Sequence, residues 1–74
     1  MSKSRDSFVR LAESRTNKIL KDIDLLSNLS NKTNYSYGAD DIQKIFLAIN
    51  KSVKESEKKF QVAMQSGKKN DFKL

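Results

Sequence analysis

The chain has 74 residues and a net charge of +6, and it contains no His, Cys or Pro. A chain of this length forms one small domain, whose own core contributes only about 3–5 kcal/mol. Without His and Cys it can form no disulfide, no thiolate or imidazole metal site, and no Ser-His or Cys-His nucleophile. We therefore expect a protein that is not an enzyme, with no cofactor and no metal, stabilised by self-association or by a partner.

The N-terminal segment "MSKSRDSFVRLAESR" has basic residues but no apolar run, so it does not predict a signal peptide. The longest apolar run, "IFLAI", is far shorter than the about 20 residues of a membrane span. We expect a cytoplasmic protein with no membrane partner. The three glycosylation sequons that begin at Asn28, Asn31 and Asn34 are then incidental.

The first predicted element is a helix over residues 6–27, with Ser4 or Asp6 as its N-cap, because a short side-chain oxygen can accept a first-turn N–H. At 100° per residue, its apolar side chains form one stripe. The stripe comprises Phe8, Ala12, Ile19, Ile23 and Leu26. Arg15 lies near its centre. Either its stem packs while its charged head reaches solvent, or it pairs with Asp41 or Glu57 across a bundle, or it contacts a partner.

The corner that follows, residues 28–38, reads "NLSNKTNYSYG". Asn and Ser bond readily to nearby backbone, and Asn tolerates the left-handed conformation that turns require, so we expect an ordered corner. Its two tyrosines either close the open end of a helical bundle or form an exposed docking pair. The candidate partner-binding residues are Asn31, Asn34, Tyr35, Tyr37 and, from the first helix, Arg15.

The second predicted helix covers residues 39–64, with Gly38 as N-cap and Asp40 and Asp41 opposing the positive end of the helix dipole. Its apolar stripe has heptad spacing. The stripe comprises Ile42, Ile45, Phe46, Ile49, Val53, Phe60 and Met64, with Ser56 and Ala63 as small members. Gly67 is expected to end the helix, and residues 67–74 are expected to form a polar basic tail.

These elements predict an all-α fold in which residues 1–66 form a single helical domain, an antiparallel hairpin of two long helices. A two-helix hairpin leaves part of each apolar stripe uncovered, so we expect two hairpins to pair into a four-helix bundle as a homodimer. The alternatives are a monomer with a short additional helix, or a monomer that docks on a partner.

Basic side chains lie opposite the apolar stripe of the second helix. Lys44, Lys51 and Lys58 repeat every seven residues and Lys54 lies beside them; we call these four residues the lysine ridge. Such a ridge neutralises phosphates, or it is a solvated face that keeps the protein soluble. The candidate nucleic-acid-binding residues are Lys44, Lys51, Lys54, Lys58 and, on the first helix, Arg10. No base-reading motif is present, so recognition of shape or backbone is expected.

The segments "RLAESRTNKIL", "LLSNLSNKTNYSYGADDIQKIFLAI" and "EKKF" resemble a group of small helical proteins of bacteria and their mobile elements. The resemblance covers roughly residues 8–60, and it departs from the group's pattern at Gly38, where Thr is expected at the helix cap. It implies two helices, a corner and a bacterial or phage setting. It carries over no activity and no site residue.

Two functional hypotheses follow. The first is a basic helical binding module that engages nucleic acid or a nucleoprotein through the lysine ridge. The second is a protein-binding inhibitor or accessory factor of a phage or mobile element, such as an anti-defence protein, that docks on a protein target through the Asn- and Tyr-rich corner. A structural component of a ribonucleoprotein is a third possibility that the sequence does not separate from the first.

Overall fold

A computed structural model describes residues 4–66 as two α-helices joined by a short connection. Helix α1 spans Arg5–Ser27, a turn of 3-10 helix spans Asn28–Ser30, and helix α2 spans Ala39–Ser66. Residues 4–66 contain no strand, which confirms the all-helical prediction. The predicted ranges differ from the helices by one residue at the start of α1 and by two at the end of α2. The predicted tail, residues 67–74, lies outside the described residues.

Helix α1 begins at the cap that its sequence allows. Ser4 has extended backbone, and its hydroxyl accepts the backbone N–H of Ser7 at 3.0 Å. This bond satisfies one of the first-turn N–H groups that have no partner inside the helix. Asp6, the alternative cap, lies in the first turn, where its charge opposes the helix dipole. The Arg5 guanidinium also lies over the Phe8 ring, 5.7 Å from its centroid.

Helix α2 begins after Gly38, whose carbonyl accepts the backbone N–H groups of Asp41 and Ile42 at 3.1 and 3.3 Å. The Asp41 carboxylate in turn accepts the Gly38 N–H at 3.0 Å. This is one half of a capping box, in which the third helical residue reaches back to the cap residue. Gly38 has no side chain to form the other half. The sequence predicted Asp41 as a charge opposite the helix dipole and as a possible partner of Arg15, but not as an acceptor for the cap N–H.

The described residues fall into two units, which divide between Ser36 and Tyr37. One unit contains α1 and the 3-10 turn, and the other contains α2. No residue among those described is buried, and the apolar side chains of both stripes remain half-buried or exposed. The single domain, the antiparallel hairpin and the four-helix bundle therefore stay predictions.

Candidate nucleic-acid interface

The lysine ridge lies on a single α-helix. Lys44, Lys51 and Lys58 recur at every second turn of α2, opposite its apolar stripe, and Lys54 lies beside them. All four side chains are exposed. At about 1.5 Å per residue, the ridge is roughly 21 Å long. The helix thus holds four ammonium groups in a row without any contribution from another element.

Acidic residues of α2 lie near this row without pairing with it. Glu55 follows Lys51 by four residues, yet no ridge lysine forms an ion pair with an acidic side chain within the described part of the α2 unit. A pair in which Lys precedes Glu is the less favourable orientation on a helix. On α1, by contrast, Lys18 lies 3.3 Å from the Asp22 carboxylate, with both side chains well exposed. The ridge lysines are therefore available to an external anion.

Two aliphatic residues lie on the same outer face as the ridge. Leu47 is 72% exposed and Val62 is 51% exposed. Leu47 lies between Lys44 and Lys51 along the helix, and Val62 follows Lys58 by four residues. The face therefore combines charged and apolar side chains. Asp40 lies one turn before Lys44 and bounds the ridge at the start of the helix. An anion on this face would meet the lysines from Lys44 onward.

The two arginines predicted as site residues lie on α1. Arg10 and Arg15 are both exposed, and neither forms an ion pair within the described part of its own unit. Because the ridge belongs to the other unit, membership of Arg10 in a shared nucleic-acid site stays a prediction. The pairing of Arg15 across a bundle likewise stays a prediction.

The corner is organised by Asn31. Its side-chain oxygen accepts the Thr33 N–H at 2.9 Å, and its carbonyl accepts the N–H groups of Asn34 and Tyr35 at 3.2 and 3.0 Å. This side-chain bond to the backbone two residues on is an Asx turn. The predicted order of the corner is thus produced by local bonds. Tyr35 is 48% exposed, whereas Tyr37, which belongs to the α2 unit, is half-buried.

Other kinds of site have less support in the part of the chain that the structure describes. An open groove on α2 is lined by small, charged and aliphatic side chains, namely Ser52, Glu55, Ser56, Lys58, Lys59, Val62 and Ala63. No group of acidic residues within 4–66 is arranged to hold a metal ion. Neither helix, over the same residues, combines the length and the apolarity that crossing a membrane requires.

Comparisons with known proteins add no relative. No family model, no curated protein and no solved structure matches this chain. The function is therefore inferred from the residues and geometry of the two helices.

Proposed function

We propose that this protein is a non-catalytic cytoplasmic binding module that engages the phosphate backbone of nucleic acid, free or within a nucleoprotein, through the lysine ridge. The observation that supports it best is the row of Lys44, Lys51, Lys54 and Lys58, all exposed and none paired with an acidic group of α2. A face needed only for solubility typically intersperses both signs of charge. On this face four lysines are accompanied by Asp40 and Glu55, so positive charge predominates without being the only sign.

The mechanism of binding is the release of counterions. Duplex DNA carries one negative charge per about 1.7 Å of its axis, and each lysine that neutralises a phosphate releases part of the condensed counterion layer. Four contacts predict that the logarithm of the binding constant falls with the logarithm of salt concentration with a slope of about −3.6. Since the chain contains no base-reading motif, the ridge lysines are expected to contact phosphates, which carry no sequence information. The binding is then largely independent of sequence.

The proposal includes the arrangement of the helices. We propose that α1 and α2 form an antiparallel hairpin and that two hairpins pair as a homodimeric four-helix bundle. The absence of any buried residue within 4–66 supports it, because a dimer would cover apolar stripes that each helix leaves exposed. The ridge, opposite the stripe of α2, would remain on the outside of such a bundle.

A salt titration combined with native mass measurement tests this function. The purified protein is mixed with labelled RNA and DNA, and binding is followed from about 50 to 200 mM salt, where four phosphate contacts predict a loss of about 150-fold. A dimer that loses affinity with this slope supports the proposal. Undetectable binding at the lowest salt concentration would leave the lysines as a solubility face and refute it.

A second candidate function has one specific observation in its favour. The Asn31 turn orders the backbone up to Tyr35, whose ring remains 48% exposed, so the corner displays an aromatic side chain at low entropic cost. Aromatic residues of this kind anchor protein interfaces. In this alternative the protein is an inhibitor or accessory factor that docks through the corner. Replacing both Tyr35 and Tyr37 by Ala would abolish that activity and leave salt-dependent nucleic-acid binding intact, and replacing the ridge lysines by Glu would do the reverse.

A further inference from the structure

The apolar stripe of α2 changes in size along the helix. One set of seam positions holds large residues throughout, at Phe46, Val53 and Phe60. The other set holds Ile42 and Ile49 in the first half and then Ser56 and Ala63 in the second. These two sets alternate by three and four residues, which is the spacing of the two core positions in a coiled coil. None of these side chains is buried.

This size gradient discriminates between two ways of covering the seam with a second copy. In a parallel pair each residue faces its own counterpart, so Phe60 would meet Phe60 while Ser56 would meet Ser56 and Ala63 would meet Ala63. Such layers are alternately crowded and empty. Close packing instead requires large side chains opposite small ones.

We propose that the partner of this face is a second copy of the chain, with its α2 antiparallel and in a register that places the two small residues of the seam, Ser56 and Ala63, opposite larger ones. In this register Phe46 lies opposite Ala63 of the second copy and Val53 lies opposite Ser56. Ile49 then lies opposite Phe60, and the pattern repeats on the other side of the two-fold axis. The inference rests on the homodimer of the proposed function and specifies its central contact.

The residues that flank the seam are compatible with this register. Glu57 would lie beside Asn50 of the second copy, and Lys59 would lie beside Ser52. Each charged residue thus meets a neutral polar one, and no like charges oppose each other. The three lysines at seven-residue spacing occupy the outermost position of the heptad, so both ridges face away from the seam.

The apolar area that remains exposed on α2 supplies part of a stable interface. Phe46 and Phe60 are 40% and 57% exposed, and Met64 is 71% exposed. A fully covered aromatic side chain buries about 150–250 Å², so the half-exposed phenylalanines of two copies would contribute roughly 300–500 Å² of the about 1,200–2,000 Å² that stable interfaces bury. The α1 stripe, with Ile19 at 56% exposure, supplies further area in a four-helix bundle.

Disulfide cross-linking tests the register, because the natural chain contains no cysteine. Gln43→Cys and Met64→Cys change two flanking positions that the antiparallel register brings together and that lie off the ridge. The two variants are mixed, equilibrated and oxidised, and the products are separated by mass. Ala63→Cys alone is the control for a parallel pair. In the antiparallel register, residues 63 of the two copies would lie about 26 Å apart, far beyond the about 7 Å between Cα atoms that a disulfide spans.

The expected result is a mixed disulfide between Gln43→Cys and Met64→Cys well above its statistical share, with no dimer from Ala63→Cys. Ready self-linkage of Ala63→Cys would overturn the antiparallel register while leaving the dimer in place. A monomeric native mass for the wild-type chain would overturn the dimer itself. Neither outcome touches the lysine ridge, and the salt titration decides that part of the proposed function separately.

Discussion

Removing two lysines from the centre and end of the ridge should halve its response to salt. In Lys51→Gln/Lys58→Gln both changes replace exposed side chains that have no ion pair among the described residues of the α2 unit, so the helix itself should be unaffected. Wild-type protein with four phosphate contacts has a predicted slope of about −3.6, and the variant, with two contacts, has about −1.8. Between 50 and 200 mM salt the wild type should lose about 150-fold in affinity and the variant about 12-fold.

The assay is fluorescence anisotropy of a labelled duplex of about 20 base pairs, which exceeds the length of one ridge. The matched control is Lys18→Gln/Lys59→Gln, which lowers the net charge by the same two units but changes one lysine paired with Asp22 and one that lies off the ridge. The control should keep the wild-type slope. If both variants reduced the slope equally, binding would depend on net charge alone and the assignment of the ridge would be wrong.

Three further changes test the helix start and the seam. Gly38→Ser adds a cap hydroxyl where a side chain meets no atom within 4 Å, and it should raise stability in urea unfolding by a few tenths of a kcal/mol, whereas Gly38→Ala should not. Asp41→Ala removes the carboxylate that accepts the Gly38 N–H at 3.0 Å. It should lower the free energy of unfolding by about 0.5–1.5 kcal/mol in the same assay. Asp41→Asn keeps an acceptor oxygen and should lower the free energy of unfolding by less. Phe46→Ala should weaken the dimer by up to about 3–5 kcal/mol per copy, measured by concentration-dependent melting. The double variant Phe46→Ala/Ala63→Phe should recover most of that loss. The reason is that the exchange again places a large residue opposite a small one, and it does so only in the antiparallel register.

The positions of the helices were predictable because the signals that set them are local. Ser4 and Gly38 precede the two apolar repeats, and a residue suited to capping before a repeat marks a helix start within one or two residues. The predicted end of α2 lies two residues too early, because Gln65 and Ser66 do not continue the apolar repeat. Both residues are nevertheless compatible with a helix. Assignments of a helix end commonly differ by one or two residues.

The local bonds of the corner were predictable in kind but not in detail. The Asn-rich composition indicated bonds to nearby backbone, but it did not single out Asn31, because Asn28 and Asn34 have equal propensity for such turns. The capping bond of Asp41 was missed for a similar reason. An acidic residue in a first turn is explained by the dipole alone, and only its position three residues after Gly38 indicated the reach back to the cap N–H.

The arrangement of the two helices was beyond the reach of sequence periodicity. The apolar stripe of α2 shows which face of the helix needs to be covered. However, α1, a second α2 and a helix of another protein could each cover that face through the same apolar contacts. Size matching along the seam carries more information, because Ser56 and Ala63 distinguish a parallel from an antiparallel neighbour. The candidate site depends less on this arrangement, since all four ridge lysines lie on one helix.

The ridge and the seam are nonetheless linked, because both follow the same seven-residue repeat. In a straight α-helix with 3.6 residues per turn, positions seven apart drift by about 20° per heptad, so Lys44 and Lys58 diverge by about 40° around the axis. When the seam of α2 pairs with a second α2, left-handed supercoiling reduces the period to 3.5 and removes the drift relative to the seam. Lys44, Lys51 and Lys58 then all point directly away from the partner helix. Pairing through the apolar face should therefore fix the orientation of the opposite, basic face, even though no residue belongs to both.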